Sequence, residues 1–221
     1  PFPRRVLAKH WPEVPIYNDV RTLRADVLRR DGIAVDVITG GFPCQDLSVA
    51  GKQRGMGEGT RSGLWSEIVR LVGELRPQYV IVENVAALLA GPSERRGGWF
   101  GRVLGDLAEC GYDAEWENIP AAAVGAPHRR ERVWIIAYRA QEWAVQSIQV
   151  FCPEAISRQL GRVSRRDGIF GVHNPSVSNV DDGFPSELGG YFAAGNAVVP
   201  QIPELIGNAI LDALKQERIA A

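Results

Sequence analysis

The chain has 221 residues, of which 45% are hydrophobic and 23% charged, with a formal net charge of -1; it is long enough for one sizeable core and is neither a disordered nor a strongly cationic polypeptide. No apolar run approaches the roughly 20 residues that cross a bilayer, and the opening PFPRRVLAKHWPEVP lacks the layout of a signal peptide, so a cytoplasmic protein with no membrane partner is expected. Cys44, Cys110 and Cys152 lie far apart with no CxxC pair, which argues against a disulfide framework and against a structural metal site.

In chain order, the β-branched segment 33–39 reads as a buried strand. GLWSEIVRLVGELRP then places Leu64, Ile68, Leu71, Val72 and Leu75 at helical spacing and stops before Pro77. Residues 78–82 form the next apolar strand, completing a βαβ unit. WFGRVLGDLAECG predicts a helix from Trp99 to Gly111, and strands follow at 112–119 and 132–138. This pattern predicts an α/β fold with a mixed, mostly parallel sheet, whose sites lie beyond the carboxyl ends of the strands. From 140 to 188 the periodicity fades into Gly- and Arg-rich pieces such as GRVSRRDG. A helix resumes after Pro200, with Ile202, Leu205, Ile206, Ala209 and Ile210 on one face.

Three groups of residues could carry chemistry. Cys44 follows the first strand inside a Gly-Gly-Phe-Pro turn whose glycines permit close approach of a ligand. A lone loop thiol is more often structural than catalytic, because it needs a cation, a base or a helix end to become a thiolate. Glu83 ends the strand IVENV and reads either as a helix cap for the next segment or as a general acid. In a parallel arrangement it would leave the same sheet edge as Cys44. Arg130 and Arg132 alternate just before VWIIA, either as a solvated edge-protecting cluster or as partners of a carboxylate.

In this order and spacing, FPCQDLSVAGKQRG, VIVENV, HRRERVWIIA and GNAVVPQIPELIG resemble the DNA cytosine carbon-5 methyltransferases. The resemblance spans residues from about 19 to about 209, with a gap in the irregular region. It implies a Rossmann-like, S-adenosylmethionine-dependent domain in which Cys44 adds to carbon 6 of a flipped-out cytosine. Glu83 would hydrogen-bond and protonate ring nitrogen 3, while Arg130 and Arg132 would hold Glu83 and the cytosine carbonyl oxygen. The same resemblance assigns Asp19, Val20, Pro43, Asn196 and Val198 to the cofactor. Gln45, Ser48 and Lys52 fall to double-stranded DNA near the flipped base.

The chain also departs from the family pattern. No segment matches the Gly-rich strand-turn-helix motif that grips the methionine end of the cofactor, so the catalytic part is read as N-terminally truncated relative to the family. These 221 residues alone are expected to be unstable or poorly soluble and to bind no cofactor; the full-length form is expected to be a monomer. His128 replaces the Gln usual before the Arg-x-Arg pair. The expected division is a catalytic part, 1–139, a short irregular target-recognition region, 140–188, and a C-terminal segment, 189–221, packing back on the first. In the recognition region Arg162, Arg165 and Arg166, with Phe170 and His173, are the candidates for DNA contact. Two readings stay open, an active DNA methyltransferase and a degenerate remnant that binds DNA or a partner without turnover. A cysteine hydrolase would want a His base in a recognisable motif, which His10, His128 and His173 do not supply.

Overall fold

The computed structural model describes residues 2–42, 64–90, 98–126, 128–139, 151 and 198–220. Helix α1 (Phe2–His10) ends on Lys9 and His10, and the short α2 (Ala25–Arg30) opens on Asp26 and closes on Arg29 and Arg30. Both place charge where the helix dipole favours it. Only Ala25 and Leu28 of α2 are buried, too few to show as a periodic stripe, which is why this helix was not legible in the sequence.

Strand β1 (Val37–Gly41) begins four residues later than predicted. Residues 31–36 continue the turn off α2, with the Ile33 amide donating to the Leu28 carbonyl; pairing starts only where the Asp36 carbonyl accepts the Gln78 and Tyr79 amides, at 2.7 and 3.1 Å. Helix α3 (Trp65–Leu75) ends at Arg76, which takes a left-handed conformation with φ of 51°. Strand β2 (Tyr79–Val85) runs on through Glu83 and Asn84. After α4 (Ala87–Ala90) and α5 (Gly98–Glu109), strand β3 (Tyr112–Pro120) leads through a 3-10 turn, Ala121–Val124, to β4 (Glu131–Arg139).

The four strands lie in the order β1-β2-β4-β3. The sheet is mixed, as expected, but the parallel majority is not found among the described strands. β1 and β2 are parallel, whereas β4 runs antiparallel to both β2 and β3. The reason is the connection: about ten residues join β3 to β4, enough for a return turn but not for the crossover that a parallel pair requires.

Side chains alternate across this sheet. On one face Val80, Val82, Val133, Ile135 and Ala137 pack with Trp65, Val72, Trp99, Val103 and Leu107 of α3 and α5. On the other, Tyr79, Trp134, Ile136 and Ile119 meet Ile202, Leu205, Ile206, Ala209 and Ile210 of α6 (Gln201–Ala220). The C-terminal helix thus covers the second face with the apolar stripe read from its sequence. β1 is an edge strand among the described residues, and Val37 on it is exposed. No helix among the described residues is long and apolar enough to cross a membrane.

Candidate active site

The parallel pairing of β1 with β2 sets Gly41 opposite Glu83, so both carboxyl ends finish at one edge of the sheet. A Cβ added at Gly41 would sit 3.2 Å from the Glu83 carbonyl oxygen and 3.3 Å from Glu83 Oε2. The glycine read as leaving room for a ligand therefore leaves room first for the Glu83 side chain. Gly41→Ala should displace that carboxylate. The expected result is a loss of about 1–3 kcal/mol in chemical denaturation, since overpacking costs that order; a variant as stable as the parent would show that the strand ends are not this close.

Glu83 Oε1 accepts a hydrogen bond from Arg132 Nε at 3.0 Å, each side chain being about four-fifths buried. The register makes this possible. Arg132 lies directly opposite Val85, on the same face as Glu83 two residues earlier, and a long side chain spans that diagonal. Burial raises the Glu83 carboxyl above the ordinary range, with the charges of Arg132 and Arg130 and the Arg132 hydrogen bond pulling it back. Burial wins, so the group is biased towards its protonated form.

Arg130 stands just outside β4 with a positive φ of 26°. Its backbone therefore breaks the extended alternation that the sequence suggested for the Arg-x-Arg pair. It nevertheless shares the electrostatics of the site: burial and the neighbouring Arg132 lower its pKa, while Glu83 raises it. A strained backbone at a site residue costs of order 1–3 kcal/mol and persists where surroundings impose it. Here the Arg129 and Arg130 carbonyls both accept the Ala121 amide, at 2.7 and 3.3 Å, which fixes the turn. His128 is exposed.

Asn84 is only 2% exposed, and its role lies in the backbone. Its Nδ2 donates to the Phe42 carbonyl at 3.2 Å, while its Oδ1 accepts the Val85 amide at 2.9 Å. The end of β2 thus fastens the chain two residues before Cys44. Phe42 is buried against Trp65, with ring centroids 5.3 Å apart, and the Trp65 indole N–H donates to Asp106 at 2.7 Å. The chain therefore leaves the described core at Phe42, fastened by Asn84, and re-enters it at Trp65, whose ring packs on Phe42. Pro43, Cys44, Gln45, Ser48, Lys52, Arg162, Arg165, Arg166, Asn196, Phe170 and His173 lie outside the described residues. Of the other cysteines, Cys110 is partly buried, and burial pushes its thiol up, the opposite of activation.

Asp19 and Val20 lie in an exposed turn between α1 and α2. The Asp19 carboxylate accepts the Arg21 amide at 3.0 Å and Arg21 Nη2 at 2.7 Å. These bonds hold its carboxyl down to about 2. Arg21 Nε also donates to both carboxylate oxygens, at 3.1 Å each, so Arg21 engages Oδ1 and Oδ2 alike, and Val20 beside them is an exposed apolar surface. An acceptor next to an apolar wall is the chemistry an adenine edge needs, and an exocyclic amine there would share the carboxylate with Arg21. Val198, also exposed, lies three residues before the buried Gln201 that starts α6. No cluster of acidic, His or Cys side chains suited to a metal occurs among the described residues.

Residues 5–165, well over half of the chain, match the family model of the C-5 cytosine-specific DNA methylases. The chain is 44% identical over 106 residues to the type II methyltransferase M.Sau3AI of Staphylococcus aureus, covering 47% of this chain and 26% of that protein. It is 33% identical over 141 residues to the type II methyltransferase M2.BsuMI of Bacillus subtilis, covering 62% of this chain and 34% of that protein. The orphan methyltransferase M.SssI of Spiroplasma monobiae is 38% identical over 125 residues, covering 54% of this chain and 31% of its own length. The chain thus spans about a quarter to a third of these relatives. Among solved structures, a DNA modification methyltransferase encoded within an Escherichia coli prophage aligns with a TM-score of 0.52 and 26% identity, covering 67% of this chain and 40% of the other. With its FPCQ, ENV and Arg-x-Arg segments in place, the chain belongs to the C-5 cytosine-specific DNA methylase family.

Proposed function

We propose that the protein methylates carbon 5 of cytosine in double-stranded DNA, with Cys44 as nucleophile and S-adenosylmethionine as methyl donor. The observation that carries this reading is the buried Glu83–Arg132 pair at the edge where β1 delivers the chain to Cys44. When bound, the cofactor supplies an electrophilic methyl group to the activated ring. The Cys44 thiolate forms a bond to carbon 6, and the electron pair of the 5,6 double bond moves towards carbon 5 and the ring. Glu83, biased towards its neutral form by burial, donates a proton to ring nitrogen 3, so that the ring does not accumulate negative charge. Arg132 orients Glu83, and Arg130 adds positive potential for the carbonyl oxygen. After methylation, solvent takes the proton from carbon 5, its electron pair restores the double bond as the carbon–sulfur bond breaks and returns its pair to Cys44, and ring nitrogen 3 gives its proton back to the Glu83 carboxylate.

Asp19, Val20, Pro43, Asn196 and Val198 form the proposed cofactor wall; Gln45, Ser48, Lys52, Arg162, Arg165 and Arg166 the proposed DNA contacts. The test is mass-spectrometric detection of 5-methylcytosine in DNA incubated with S-adenosylmethionine and the full-length protein, the parent for every variant. Product is expected with the parent protein and none with Cys44→Ala. Undiminished methylation by Cys44→Ala would refute the mechanism. DNA binding without any methylation by the parent protein would favour a non-catalytic remnant instead.

A further inference from the structure

Arg70 sits in the middle of α3 and makes four hydrogen bonds. Nε donates to Glu67 at 2.8 Å and Nη1 to Glu74 at 2.6 Å, which aligns the guanidinium along the helix. Nη2 then donates to the backbone carbonyls of Val20 at 2.9 Å and Leu23 at 2.8 Å. The remaining Glu74 oxygen accepts the Ala25 amide at 3.0 Å, at the first residue of α2. One arginine and one glutamate therefore hold the segment from Val20 to Ala25 at several points along one helix face. All three charged side chains are at least two-thirds buried.

The segment so held is itself folded into a turn. The Thr22 and Leu23 amides both donate to the Asp19 carbonyl at 3.2 Å, and Thr22 Oγ1 donates to the same oxygen at 3.0 Å. Asp19 thus stands at the head of a turn whose carbonyls are pinned to α3. The same helix begins at Trp65, which is seated against Phe42 where the Cys44 loop departs. A planar guanidinium with donors in a fixed fork can satisfy two glutamates and two carbonyls together; a lysine ammonium cannot reproduce that geometry.

We infer that Arg70 is a positioning residue that sets the place of Asp19 and Val20 relative to Phe42 and the end of β1. The inference rests on the reading of Asp19 and Val20 as the adenine seat. A carboxylate discriminates an exocyclic amine only within hydrogen-bond reach, and a misplacement of about 1 Å can cost on the order of 100-fold.

In the full-length protein, Arg70→Gln and Arg70→Lys are compared with the parent for affinity to S-adenosylhomocysteine and to S-inosylhomocysteine, in which a carbonyl replaces the amine. DNA affinity and hydrogen exchange at the Leu23 and Ala25 amides are followed alongside. The parent should prefer the adenosyl ligand. Arg70→Gln should lose roughly 10-fold or more of that preference, with faster exchange at both amides and unchanged DNA affinity, and Arg70→Lys should fall between. A full preference retained in Arg70→Gln would overturn the inference, as would equal loss of both ligands together with DNA affinity, which would mark a general support of the fold. A parent that does not distinguish the two ligands would refute the adenine seat itself; unchanged amide exchange in Arg70→Gln would then refute the clasp as well.

Discussion

Replacing Glu83 with Gln should lower the rate of methyl transfer by roughly 10²- to 10⁴-fold, the range typical of removing a positioned general acid, while leaving DNA affinity nearly unchanged. Gln fills the same space and keeps an oxygen for Arg132 but has no acidic proton to give. The pH profile should change in a defined way. Burial raises the Glu83 carboxyl above its ordinary range, so its protonated fraction, and the rate that depends on it, falls as pH rises through that raised pKa. The proposed nucleophile runs the other way, since the thiolate fraction of a cysteine grows with pH. The parent should therefore show a bell, and Glu83→Gln should lose the limb that Glu83 controls.

Stability follows the same sign. For an acid whose folded pKa lies above its unfolded one, the stabilising contribution is complete below the unfolded pKa and is lost as pH rises through the folded pKa. Denaturant midpoints taken across this window should decline in the parent and stay flatter in Glu83→Gln. A parallel decline in both proteins would assign the dependence to another group.

Arg132→Leu carries the second large effect. It removes the hydrogen bond to Glu83 Oε1 at 3.0 Å and leaves the carboxyl about four-fifths buried without that cation. Hydrogen bonds to charged groups are worth about 1.5–3 kcal/mol, and loss of the pair should cost stability on that order near neutral pH. The Glu83 pKa should rise further, because the largest opposing influence has gone. Activity should fall by roughly 10- to 100-fold, since the acid remains but is no longer oriented. If the two residues act as a unit, Glu83→Gln combined with Arg132→Leu should be little worse than Glu83→Gln alone. Fully additive losses would show that Arg132 acts on the reaction independently of Glu83.

Much of this arrangement was legible because it depends on local pattern. A carboxylate closing four apolar residues marked Glu83, the stripe after Pro200 marked α6, and the run VWIIA marked β4. What could not be read was whatever depends on register between distant strands. Gly41 looked like space for a ligand until its pairing with Glu83 showed what fills it. Asn84 looked like the end of a strand, whereas its amide fastens Phe42, 42 positions away. Arg130 broke the alternation because its φ is positive, a choice no propensity announces for arginine. The sheet was read as mostly parallel because helices and strands alternate along the first half. Only the short β3 to β4 connection betrays the antiparallel return.

The central claim is that Cys44 forms a covalent bond to the target cytosine at the site organised by Glu83 and Arg132. The most direct measurement uses duplex DNA carrying 5-fluorocytosine, with S-adenosylmethionine present. Fluorine cannot leave as the carbon 5 proton does, so the adduct should persist as a denaturant-resistant complex that maps to Cys44 and disappears in Cys44→Ala. A parent protein that methylates ordinary cytosine yet forms no such complex, or a complex that survives Cys44→Ala, would contradict the account.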